Sequence, residues 1–337
     1  MPDPDSHGGR RLALVYCHRD PFVVANRIRL LTRLGAPAVH LIYGGRERLF
    51  ESFASAVRRL SGVDVEAFCL SGRTPLWKWA HTDLGVLDWY RAVGRLLPFD
   101  AAVVLQWDVV VYESIDRAYA RVPADGVGLT GLTPLASVVD SWFWLQNETY
   151  RREWDELREW VAQRFEVSEE PRVCIGPGYS LSREFLERYA AEDVPNLCHD
   201  ELRLPLIAHA LGFELHDTGF YKSWTDSKEQ RFFNADRQSI TLATIGEQLS
   251  MADGRRVFHP VRYVVPTALR QNPNPALQSL YFDDRDRMMR AASTALGVVL
   301  KPGRDVRANW LKIEKHVLKR PRWPHAPRER QTSSWHA

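Results

Sequence analysis

The feature that most constrains this chain is the regular alternation of short apolar runs and punctuated helices in its N-terminal third. "RRLALVYCH" (Arg10 to His18) reads as a strand. A helix follows, with Asp20 suited to its N-cap, Pro21 to its first turn and Gly35 to the position past its end, and with Val24, Ile28, Leu31 and Leu34 at helical spacing. "APAVHLIYGG" is a second strand, and the pattern repeats through helix "RERLFESFASAVRRL", strand "VDVEAFCL", helix "DLGVLDWYRAVGRLL" and strand "AAVVLQWD". Strands joined through helices by short links must pair in parallel, because each crossover returns the chain to the same end of the sheet. The expectation is an α/β protein with a Rossmann-type, mostly parallel sheet flanked by helices, and 337 residues suffice to bury its core.

From residue 124 the pattern loosens. "GVGLTGLTP" reads as a strand, and Tyr150 to Phe165 as an amphipathic helix built on Tyr150, Trp154, Leu157, Val161 and Phe165. "PRVCIGPGYSLSREFLERYAAE" predicts a strand, a Gly-Pro-Gly turn and a helix; "HDELRLPLIAHALGFELHD" predicts a helix ending at Gly212 and then a strand. From Asp305 a basic amphipathic helix sets Val306, Trp310, Ile313 and Val317 on one face, with Arg307, Lys312, Lys315, Lys319 and Arg320 around the remainder until Pro321. The expected organisation is a disordered stretch 1–9, a main domain 10–265 with halves 10–123 and 124–265, and a helical basic C-terminal extension 266–337.

Several classes lose ground at once. Lys and Arg number 45 against 42 Asp and Glu, too even a balance for a nucleic-acid binder. Cys17, Cys69, Cys174 and Cys198 have no paired spacing, which suits a reduced, cytoplasmic chain without structural zinc. The start "MPDPDSHGGRR" has no apolar core of a leader, and no apolar run approaches the roughly 18 residues of a membrane span. There is no P-loop, no GxGxxG after a strand, no HExxH and no GxSxG.

What remains is carboxylates at strand ends and helix starts. In "DAAVVLQWDVVVYES" the lone acid Asp108 interrupts an apolar run at the carboxyl end of the fourth strand, where open α/β sheets bind ligands. Its plain alternative role is an ion pair with a nearby arginine. "HDEL" places Asp200 and Glu201 at a helix start, where the dipole stabilises an anion or where they merely cap the helix.

The stretches "LALVYCHRDPFVVANRIRLLTRL", "VVLQWDVVVYES", "GPGYSLSREFLERY", "HDELRLPLIAHALGF" and "VFHPVR", in that order, resemble the GT-A glycosyltransferases. The resemblance implies transfer of a sugar from a nucleoside-diphosphate sugar to a glycan or lipid-linked acceptor. These enzymes carry a DxD motif at the end of strand four, whose last Asp binds a cation on the donor diphosphate. Here the triplet is Gln106, Trp107 and Asp108, so one acid survives. The resemblance further implies His259 as a second ligand, favouring Mn²⁺ over Mg²⁺ because imidazole suits it better. Asp200 would be the base of an inverting transfer and Glu201 an acceptor contact, in that or the reverse order. His18, Arg19, Arg27 and Asp83 would hold the donor nucleotide. Trp142 and Trp144 would edge the acceptor site by stacking on a sugar ring, and Gly176 and Gly178 would admit close backbone approach. The basic C-terminal helix suggests peripheral contact with the inner face of an anionic membrane. Two rivals stand beside this reading: a nucleotidyltransferase, which needs a glycine-rich basic loop that "CHRDPF" does not offer, and a non-catalytic protein that binds nucleotide sugars or glycans.

Overall fold

The computed structural model describes residues 10–140, 142–167, 170–222, 224, 226–235 and 239–267. The expectations for the N-terminal stretch and for the basic C-terminal extension fall outside these residues.

The predicted alternation is realised as β1 (Arg11–Cys17), α1 (Pro21–Arg33), β2 (Val39–Tyr43), α2 (Phe50–Ser61), β3 (Glu66–Cys69), α3 (Pro75–Ala80), α4 (Thr82–Ala92) and β4 (Ala101–Gln106). Asp20 caps α1 as expected, its side chain accepting from the Val23 amide at 3.1 Å. The short helix α3 was not anticipated, since Trp77 and Trp79 flank Lys78 without helical periodicity. Then follow β5 (Val110–Val111), α5 (Ile115–Ala118), β6 (Val127–Pro134), α6 (Phe143–Gln146), α7 (Glu148–Ala162), β7 (Arg172–Ser182), α8 (Arg183–Ala191), α9 (Asp200–Ala210), β8 (Leu215–Asp217), α10 (Leu242–Ser250) and β9 (Val257–Phe258).

Seven strands form one mixed sheet in the order β3-β2-β1-β4-β7-β6-β8. The β3-β2-β1-β4 portion is parallel throughout. β7 runs antiparallel to both its neighbours, and β6 pairs with β8 in parallel. The expected Gly-Pro-Gly turn does not end the strand: β7 carries the stretch as an irregularity, its span Ile175 to Ser180 lying opposite only Thr130 to Gly128 of β6, with Gly178 at φ 88°. Every residue of β1 is buried, as a central parallel strand covered on both faces requires. Leu14, Val104, Leu181 and Phe185 belong to the main core.

A second, two-stranded sheet pairs β5 with β9, with Val110 opposite Phe258. This small ladder draws the late "VFHPVR" segment back against the end of β4. The Val261 amide donates to the Asp108 carbonyl at 2.7 Å. Buried side chains of α1 strap the same segment down: Asn26 exchanges hydrogen bonds with the Val265 backbone in both directions, and Arg27 donates to the carbonyls of Val261 and Tyr263.

Candidate active site at the carboxyl ends of the parallel strands

Asp108 follows β4 directly and is only 4% exposed. Its Oδ2 accepts from Arg262 Nε at 3.0 Å, while its Oδ1 is buried without a hydrogen-bond donor. The nearest polar atom on that side is His259 Nε2 at 3.5 Å, too far for a hydrogen bond. His259 lies 2.6 Å through Nδ1 from the Asn234 carbonyl, which can only accept, so Nδ1 carries a proton. Nε2 is then the ring atom that faces the bare carboxylate oxygen. Burial alone would raise the Asp108 carboxyl, but His259 and Arg262 outweigh it and hold it well below the usual carboxylate range. Asp108 thus does make the arginine ion pair that was its plain alternative, and His259 beside it is buried.

The rim beside Asp108 is basic and aromatic. Trp107 is buried and receives the edge of His18 at a centroid distance of 5.6 Å and the guanidinium of Arg19 at 4.9 Å. His18 and Arg19 are exposed at the end of β1. Although its edge reaches solvent, the protein packed around the His18 ring and the charge of Arg19 lower its pKa, Asp108 raises it and Arg262 lowers it, so these side chains share one field.

Gln106 leads from this centre to a second one. A Cβ on Gly176 would lie 3.3 Å from Gln106 Nε2, 3.5 Å from Glu201 Oε1 and 3.7 Å from Asp200 Oδ1. The bare Cα of Gly176 therefore keeps open a space that an amide and two carboxylates face. Asp200, 1% exposed, accepts from the Tyr179 hydroxyl at 2.9 Å and sits 2.7 Å from His199 Nδ1. Glu201 is the more open acid, its Oε1 accepting from the Gly176 amide at 2.8 Å and its Oε2 from Trp144 Nε1 at 2.5 Å. Burial and the Asp200 charge raise the Glu201 pKa despite those donors. For Asp200, burial acts upward, but His199, Arg203 and Tyr179 prevail and lower it.

Four expectations need correction. Asp83 does not face a nucleotide: its side chain is fully buried in a bidentate ion pair with Arg203, at 2.9 and 2.5 Å, and accepts from the Tyr189 hydroxyl. Arg27 is 2% exposed and spends its donors on the segment after His259, so it positions the site from behind. Trp142 is 8% exposed and packs edge-on against Trp224. Trp144 is 6% exposed with its face stacked on His199 at 4.0 Å, so neither indole offers a free face to a sugar. Gly178, at φ 88°, serves the strand irregularity, its carbonyl accepting from Tyr119 and Thr130 hydroxyls.

Sequence reasoning missed Arg262, His199 and Tyr179. Arg262 stands in the quoted "VFHPVR" and His199 in "CHDEL", but only pairing across the fold shows that each meets an acid. Among the described residues no group of three or more His, Cys, Asp or Glu converges as a metal site. The pair Asp108 and His259 nevertheless suits a cation whose other ligands come from a bound diphosphate and water: an orphaned carboxylate oxygen and an imidazole nitrogen face each other, with the far ring nitrogen fixed by a carbonyl.

No protein-family model matches the chain, and no curated protein matches it by sequence. Among solved structures, it is similar to an active-site mutant of LgtC, with 11% identity, a TM-score of 0.36 and coverage of 84% of this chain and 95% of that one. It is also similar to the apo structure of the bifunctional glycosyltransferase WbbM, with 9% identity and a TM-score of 0.40. That match covers 85% of this chain and 50% of WbbM, so this chain spans about half the length of that protein.

Proposed function

We propose that the protein is a glycosyltransferase that moves a sugar from a nucleoside-diphosphate sugar to a glycan or lipid-linked acceptor, with a divalent cation and inversion at the anomeric carbon. The observation that carries this reading is the bare Asp108 Oδ1 facing His259 Nε2 at the carboxyl end of β4, beneath the basic rim of His18 and Arg19. Asp108 and His259 would hold the cation, which when bound neutralises charge on the departing nucleoside diphosphate. Arg19 adds positive charge where that diphosphate lies, His18, its pKa lowered, offers a neutral imidazole beside it, and Trp107 contacts both.

The second centre supplies the base. Inversion by a single displacement needs a carboxylate that takes the acceptor proton on the face opposite the leaving group. Glu201 fits better than Asp200: it is less enclosed, its pKa is raised, and the amide of Gly176 and the indole of Trp144 fix its orientation. Asp200, locked between His199 and Tyr179, then positions the turn that presents Glu201. Gln106, reaching toward the same space from β4, is available to a donor or acceptor hydroxyl.

The test is a panel of nucleotide sugars assayed for transfer and for slow donor hydrolysis, with Mn²⁺ and with chelator. Turnover of one donor, dependent on Mn²⁺ and lost in Asp108→Asn, is expected. Binding of a nucleotide sugar by calorimetry without turnover of any donor would favour the non-catalytic alternative.

A further inference from the structure

Arg262 occupies the carboxylate on which the proposed cation depends, and its placement is asymmetric. Nε takes Oδ2 of Asp108 at 3.0 Å, while Oδ1, on the side of His259, is left bare. The arginine side chain is 30% exposed against 5% for the aspartate, so the guanidinium approaches from the open side of the site. The backbone beneath it is fixed. The Val261 amide is bonded to the Asp108 carbonyl, Arg27 holds the Val261 and Tyr263 carbonyls, and the Arg262 amide donates to Ser239 Oγ at 3.3 Å. Withdrawing the guanidinium therefore requires side-chain rotation and no movement of the segment.

We propose that Arg262 is a displaceable counter-ion that makes cation uptake conditional on the diphosphate. This deepens, and rests on, the function proposed above. Without an anion in the site, a divalent cation must share one carboxylate with a guanidinium and face the added charge of Arg19. A nucleoside diphosphate reverses the balance, because its oxygens give the guanidinium a bidentate acceptor and leave both Asp108 oxygens to the cation. Cation and diphosphate then bind as a coupled pair, and each must raise the affinity for the other by the same factor. The neutral Gln106 in place of a second acid fits this arrangement, since one carboxylate can be balanced by one arginine.

The test is a titration of the full chain with Mn²⁺, following free Mn²⁺ by electron paramagnetic resonance, alone and with UDP, GDP or ADP, corrected for Mn²⁺ held by free nucleotide. Wild-type protein should bind Mn²⁺ weakly alone and roughly tenfold or more tightly with the nucleotide it accepts. Arg262→Met should bind Mn²⁺ more tightly than wild type in the absence of nucleotide and lose most of the coupling, while Arg262→Lys should retain part of it. Arg262→Gln serves the same comparison if the methionine variant does not fold. If neutral variants leave both the affinity for Mn²⁺ alone and the coupling unchanged while Asp108→Asn abolishes uptake, the counter-ion is wrong and the cation site stands. If no nucleotide promotes Mn²⁺ uptake by wild type, both fall.

Discussion

A carboxylate at 4% exposure with one oxygen lacking a donor is a costly object in a folded protein, and Asp108 is tolerated because His259 and Arg262 set its field. That makes Asp108→Asn the sharpest single change. It keeps the shape, removes the anion, and is expected to lower transfer and donor hydrolysis by roughly 10²-fold or more, read as initial rates at saturating Mn²⁺. Gly176 makes the opposite kind of test, since its value lies in what it lacks. An added methyl in Gly176→Ala enters the space faced by Gln106, Glu201 and Asp200. It should leave thermal stability nearly unchanged while cutting kcat by about 10- to 100-fold, because small displacements at a reacting centre cost that much.

Among the elements, α9 does most to assemble the second centre. Pro205 inside it has no N–H to offer the Glu201 carbonyl, and the Cys174 thiol lies 3.7 Å from that oxygen as a weak replacement donor from β7. Arg203, two residues earlier, ties α9 to α4 through Asp83 and to the preceding loop through the carbonyls of Leu197 and Cys198. The resemblance implied that Asp83 contacts the donor nucleotide, yet its partner lies 120 positions away, a distance over which periodicity says nothing. Removing one member of so buried a pair strands the other charge. Asp83→Asn is therefore expected to lower unfolding stability by roughly 3–5 kcal/mol in urea melts, with no change in KM for the donor sugar nucleotide. A raised donor KM in a variant that remains folded would restore Asp83 to the binding site.

At the scale of the whole molecule, pH should tune stability through the same centre. Burial would lower the His199 pKa, but Asp200 and Glu201 outweigh it and raise the imidazole above its ordinary value of 6.5. A group raised on folding stabilises fully below its unfolded pKa, and that contribution disappears as pH climbs through the folded value. The melting temperature should therefore fall as pH rises above about 6.5, and His199→Asn should flatten that slope. A wild-type melting temperature that rises steadily from pH 6 to 8, or an equal slope in the variant, would contradict the pairing.

The alternation of apolar runs and capped helices settled the parallel half of the sheet, the place of Asp108 at a strand end and the capping of α1, because these follow from chain-local periodicity and short links. The Gly-Pro-Gly stretch misled for a related reason: glycine and proline signal a turn locally, whereas the paired residues before it (Val173, Ile175) and after it (Tyr179 to Ser182) keep it within β7 as a bulge. Which charges meet was decided only by the tertiary structure. The β5–β9 ladder brings His259 and Arg262 to Asp108 across some 150 residues, and the packing of α9 on β7 sets Glu201 beside Gly176. A side chain's chemistry is written in its residue type, but its pKa, its counter-ion and its access to a substrate depend on neighbours that folding alone supplies.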